Sequence, residues 1–179
     1  MPVEHVEYYP DCSHQQLEAV LDTLAKWSVR NSANVAHLRA FPRRELRGVV
    51  TVRLTHRDPK VTDKEAPLMR LALRVPARNI SQGGLGLVAP THFMPPLLTD
   101  ATPLLKTDDL LREGVLVTVQ LARDGAPPLV IDGMIARLRP THQGFFDVGV
   151  KFLERKAGDL GGARGAAIAG AMAEADSSP

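Results

Sequence analysis

Two short stretches carry the residue types that could do chemistry. "PRRELRG", Pro42 to Gly48, places Arg43, Arg44 and Arg47 within five positions. "ARNISQGGLGLVAP", Ala77 to Pro90, offers Asn79 and Ser81 followed by Gly83, Gly84 and Gly86. Guanidinium groups bind phosphate bidentately, pair with the O6/N7 edge of guanine and stack on flat bases. An asparagine amide both donates and accepts, and a serine hydroxyl rotates to suit its partner. Glycines permit positive φ and let a backbone come close to a ligand. The combination suits a clamp for a guanine nucleotide. Two plainer readings stand beside it: a decorated turn whose Asn and Ser bond their own backbone, and an arginine-rich surface facing water.

The charge distribution points to one anionic site. Between Arg30 and Lys60 there are eight basic residues against Glu45 and Asp58, a local excess of six on a chain of net charge +2. A basic patch on a nearly neutral protein suggests a small anionic partner rather than a long polyanion. Aromatic residues make up 4% of the chain, too few for a stacking platform along single-stranded nucleic acid.

The elements that must position these residues can be read from periodicity. Ser13 and Gln16 form a capping box, and Leu17, Val20, Leu21 and Leu24 follow on one helical face, extended by Trp27. That helix is expected to fade near Arg30 to Asn34, with a second short helix or a linker from Val35 to Ala40. From Gly48 the period changes to two. Val50, Val52 and Leu54 mark a first strand, and Met69, Leu71, Leu73 and Val75 a second. Leu85 and Leu87 mark a third, and Val115, Val117, Val119 and Leu121 a fourth. Leu129 to Arg139 is a fifth, with Gly133 as a candidate bulge, and Phe146, Val148, Val150 and Phe152 mark a sixth. Six alternating strands with regular turns predict a mainly β fold, an antiparallel barrel. In an antiparallel hairpin the start of one strand lies beside the end of its partner, so Arg47 and Asn79 should come close in space.

These motifs resemble those of the PilZ domains. "RRELR" fits the RxxxR motif at Arg43 and Arg47, "NISQGG" fits [D/N]xSxxG at Asn79, Ser81 and Gly84, and "VGVKF", Val148 to Phe152, is similar to the family's final strand. The resemblance spans roughly residues 41–155. It implies a six-stranded PilZ-type β-barrel that binds the bacterial second messenger cyclic di-GMP. By that resemblance Arg43 and Arg47 grip phosphate and guanine, Asn79 and Ser81 contact guanine, and Gly84 shapes the turn. Arg44 could serve a second ligand. The expected organisation is an N-terminal helical extension over 1–40, the barrel over 41–155, and a Gly/Ala-rich tail over 156–179, weakly helical or disordered.

Other chemistry finds little support in the residues. The six histidines are scattered without ligand spacing, Cys12 has no thiol partner, and Asp108 and Asp109 read as a helix start. No constellation supplies nucleophile, base and orienter, so no enzyme activity, metal or cofactor is expected. With one cysteine, no signal peptide and no membrane span, the expected location is the bacterial cytoplasm. Three functions remain open. The first is a cyclic di-GMP receptor that couples binding at the barrel mouth to a change in protein contacts with an unidentified downstream protein. The second is an interaction protein of the same fold, an adaptor for motility or polysaccharide machinery, that does not bind the ligand. The third is a nucleic-acid binder, and the compact placement of the charge argues against it.

Overall fold

A computed structural model describes residues 5–35, 41–57, 68–95, 104–141 and 144–153. The tail over 156–179, residues 36–40, most of the polar loop of the first hairpin and the middle of the proline-rich connection lie outside them.

Among the described residues nine strands form in chain order: β1 (His5–Pro10), β2 (Arg44–Arg57), β3 (Leu68–Ser81), β4 (Gly84–Pro90), β5 (His92–Met94), β6 (Leu105–Lys106), β7 (Leu116–Arg123), β8 (Ala126–Pro140) and β9 (Phe145–Phe152). Six of them run β2-β7-β8-β9-β4-β3, every neighbouring pair antiparallel, and β2 also pairs with β3. That last pairing closes the six-stranded antiparallel barrel, so neither β2 nor β3 is left as an open edge. The alternating apolar positions point inward as expected: Val52, Leu73, Val75, Leu87, Val119 and Val148 are each 0% exposed. Burying each such side chain contributes about 1.5–3 kcal/mol.

The helix α1 (His14–Val35) starts as its sequence predicts. The Ser13 backbone N–H donates to Gln16 Oε1 at 3.0 Å, and the Gln16 N–H donates to Ser13 Oγ at 3.2 Å. Leu17, Val20 and Leu21 pack on Val88 and Phe145 in a cluster separate from the barrel core. Along β4 and β9 the residues flanking Val88 (Leu87, Ala89) and those at Val148 and Val150 belong to the core. Val88 is therefore on the outside of the barrel, where α1 lies. Two expectations about this helix are corrected. It continues to Val35 instead of fading at 30–34. Trp27 is 63% exposed and does not extend the packed face.

Other corrections concern strand bounds. The N-terminal segment, which shows no period, forms β1 and pairs in parallel with β3 from His5↔Arg70 to Tyr8↔Leu73. Tyr8 joins the core, and a single buried ring is too little to register as a pattern. The proline-rich connection contains β5, β6 and a short helix α2 (Thr107–Leu110) with Asp108 and Asp109 in its first turn. Its Phe93 and Leu110 join the barrel core. Gly133 is not a bulge: it pairs regularly with Val117 and Phe152, and a Cβ there would lie 2.7 Å from Val150 Cγ1. The irregularity in β8 falls between Ile135 and Arg137. No described helix is long and apolar enough to cross a membrane.

Candidate functional site

The turn between β3 and β4 is smaller than its sequence suggests. Asn79 and Ser81 lie inside β3, Gly84 and Gly86 inside β4, and only Gln82 and Gly83 form the turn. Ser81 pairs with Gly84 across the hairpin, and its Oγ donates to the Gly84 carbonyl at 3.3 Å. Positive φ is found at Gly48, Gly114, Gly125 and Gly144, not at Gly83, Gly84 or Gly86. These three are needed for close approach instead. A Cβ on Gly84 would run into the Val150 carbonyl oxygen. A Cβ on Gly86 would lie 2.6 Å from Asn79 Oδ1, and one on Gly83 would lie 3.0 Å from the Phe41 ring.

Strand register then builds a site on the outer face of the barrel. Asn79 is opposite Gly86, Gly86 is opposite Gly149, and Gly149 is opposite Arg137. One row thus crosses four strands with two bare glycines in its middle and a polar side chain at each end. The next row places Ser81 opposite Gly84 and Gly84 opposite Lys151. An open cavity of about 390 Å³ lies here, lined among others by Phe41, Arg43, Ser81, Gly84, Arg137 and Lys151.

Of the residues singled out in the sequence, Arg43, Ser81 and Gly84 line this cavity, while Arg44, Arg47 and Asn79 do not. Asn79 borders it: the residue is 9% exposed, and its amide lies over Gly86, itself part of the lining. Arg44 and Arg47 belong to β2, which begins at Arg44 and not at Gly48, where the strand period of the sequence starts. Backbone pairing of Arg44 with Ile80 and Glu45 with Asn79 extends the strand although its side chains give no apolar alternation. The expected proximity of Arg47 and Asn79 holds in the backbone, since Glu45 is opposite Asn79 and the register shifts between Glu45 and Gly48. The guanidinium of Arg47 turns toward α1. Its Nε donates to Glu45 Oε1 at 2.6 Å, its Nη2 to Asp22 Oδ1 at 3.1 Å, and Glu18 Oε2 lies 3.7 Å from Nη1. The bond to Glu45, with Asp22 adding to it against partial burial, raises its pKa above the usual arginine value.

A second charged group borders the cavity. Asp147 lies between Arg78 Nη2 at 3.0 Å from Oδ1 and Arg137 Nη2 at 3.0 Å from Oδ2. Arg78 is 8% exposed, so the carboxylate neutralises a cation held out of water. Arg137, Lys151 and Phe41 went unnoticed in the sequence. Only the glycine at an outward position of "FDVGVKF" hinted that β9 carries more than a strand pattern. Cys12 is no activated thiol: burial first, then the charge of Asp11, pushes its pKa up. Among the described residues no group of three His, Cys, Asp or Glu side chains is placed to hold a metal ion.

No protein-family model and no curated protein sequence matches the chain. Several solved structures do. The PilZ domain with c-di-GMP of YcgR from Escherichia coli is 12% identical, with 77% of this chain and 91% of that one covered and a TM-score of 0.44. The MrkH–c-di-GMP complex of K. pneumonia is 18% identical over 73% of this chain and 50% of that one, with a TM-score of 0.44. The inhibitor of motility MotI of Bacillus subtilis is 14% identical over 76% and 49%, with a TM-score of 0.42. The chain spans about half the length of the last two.

Proposed function

We propose that this protein is a PilZ-type receptor for cyclic di-GMP, acting in the bacterial cytoplasm and without enzymatic activity of its own. The observation that carries the reading is the meeting of both motifs at one cavity: Arg43 from the first, and Ser81 and Gly84 from the second, line the same space. The charge of that space suits the ligand. Arg43, Arg137 and Lys151 line it with no carboxylate among the described lining residues, which suits a phosphate diester. The glycine floor lets a flat base approach the sheet.

In this reading binding is coupled to α1 through Arg47. The carboxylates of Glu18 and Asp22 on α1 lie where ligand phosphates would compete for the same guanidinium. A phosphate that draws Arg47 toward the cavity releases two of the polar contacts of α1, leaving Leu17, Val20 and Leu21 to hold it. The downstream protein then meets an altered α1 surface.

The same contact favours a second reading. Arg47 already has three acidic partners, so its charge is matched without ligand, as an interaction module that binds none would need. Isothermal titration with cyclic di-GMP decides between the two. The receptor reading expects binding by the native chain and a ten- to hundredfold loss in Arg43→Ala and Arg47→Ala, since charge-assisted bonds contribute roughly 1.5–3 kcal/mol each. Circular dichroism should stay unchanged in both variants. No heat of binding by the native chain would favour the interaction module.

A further inference from the structure

Arg137 has no place in either motif, yet three features of its position are those of a binding residue. The first is the bulge. Along β8, Ile131 and Ile135 are buried in the core, so regular alternation would send residue 137 inward too. The register shift between Ile135 and Arg137 prevents this: Leu138 packs against the core instead, and Ala136 and Arg137 both line the cavity. A bulge that re-aims one side chain is a recurrent device beside functional sites.

The second feature is the seat. Gly149 is directly opposite Arg137. A Cβ on Gly149 would lie 3.3 Å from Arg137 Cβ, 3.6 Å from its Nε and 3.7 Å from its Cζ. The side chain therefore lies across the bare glycine, its guanidinium set along the sheet. The third is the clamp. Asp147 Oδ2 holds Nη2 at 3.0 Å from one side, and that carboxylate is itself held by Arg78. The side chain keeps 27% of its surface exposed, on the cavity it lines. At the other end of the same row, the Asn79 amide lies over Gly86. The two polar ends are three strand spacings apart, about 14 Å, with a floor of two glycines between them.

From this geometry we infer that Arg137 is a further ligand-binding residue, whose guanidinium offers a flat cationic face on which a purine base of the ligand stacks. The inference rests on the receptor reading above and adds a residue to it. A guanidinium is planar and weakly hydrated, and it stacks flat on an aromatic face, where a lysine ammonium can sit only as a point charge. Asp147 takes Nη2 and Gly149 leaves room beneath the side chain, so the part of Arg137 that lines the cavity is what remains for a ligand.

The experiment is a calorimetric titration of cyclic di-GMP into the native chain, Arg137→Ala, Arg137→Lys and Arg43→Ala, each checked by thermal unfolding. Arg137→Ala should bind about tenfold more weakly or worse, the usual scale for losing a base-stacking partner. Arg137→Lys, which keeps the charge but not the plane, should lose most of the same factor. Both should unfold within a few degrees of the native chain, because Asp147 keeps Arg78. Should Arg137→Lys bind like the native chain while Arg137→Ala does not, charge alone is at work and the stacking role is overturned. If both bind normally while Arg43→Ala fails, Arg137 is no contact and the receptor reading survives. A native chain that does not bind overturns both.

Discussion

The two faces of β4 and β9 use the same backbone for opposite ends. Inward they present Leu85, Leu87, Ala89, Val148 and Val150, none more than 3% exposed. Outward they present Gly84, Gly86 and Val88 on one strand and Asp147, Gly149 and Lys151 on the other. The inner face excludes water with branched and long side chains. The outer face is divided: near Val88 and Phe145 it is covered by α1, and near Gly86 and Gly149 it is left bare and rimmed with charge. A strand can therefore contribute to stability and to binding independently, provided alternation keeps the two sets of side chains apart.

That independence can be tested first where the effect is largest. Leu87→Ala removes a fully buried side chain from the inner face and should cost about 2–5 kcal/mol in urea unfolding. Cyclic di-GMP affinity per folded molecule should stay unchanged. A large affinity change with this variant would show that the two faces are coupled.

Gly84→Ala is next, because it strikes both faces at once. The added methyl meets the Val150 carbonyl, a backbone atom that cannot rotate away, so the hairpin must shift. Loss of roughly 1–3 kcal/mol is expected, on the scale of an overpacked site, together with loss of ligand binding. Unchanged stability would mean that β4 and β9 separate easily.

Gly86→Ala should separate the faces most cleanly. Its methyl meets Asn79 Oδ1, the end of a side chain that can turn. Stability should stay within about 1 kcal/mol, while affinity falls several-fold to about tenfold, the net worth of a hydrogen bond or two. An affinity equal to that of the native chain would remove Asn79 from the site.

The smallest effect is expected at the helix. Asp22→Asn weakens the hold of α1 on Arg47, an exposed pair worth about 0.2–1 kcal/mol. If phosphate competes for that guanidinium, affinity should rise by up to about fivefold. A fall in affinity would mean that the Asp22 contact orients Arg47 for the ligand instead of restraining it.

The barrel strands were legible because their inner faces alternate strictly, as Val50, Val52 and Leu54 do on β2, and because each of three hairpins ends in a recognisable turn. Asp124 and Gly125 connect β7 to β8 as "RDGAPP" suggests, with Gly125 at positive φ. Arg43, Ser81 and Gly84, which line one cavity, were legible as candidates because short motifs hold them. Arg137 was not: it sits in "ARLRP", where its neighbours in sequence say nothing of Gly149 or Asp147. The parallel strand β1 was hidden for a similar reason, since its partner β3 is some sixty residues away.

By itself the sequence determined the mainly β character, the Ser13 cap of α1, the alternation of the strands and the two motifs, all of which depend on residues within a few positions of one another. Tertiary structure alone decided that β2 pairs with β7 and so closes the barrel, that Gly86 meets Gly149, that a bulge turns Arg137 outward, and that Arg47 faces the acids of α1. Each of these depends on register between strands or on the docking of a helix. Backbone hydrogen bonds and packing between distant segments set them, and alternation fixes the face a side chain takes without naming the distant residue that will stand opposite it.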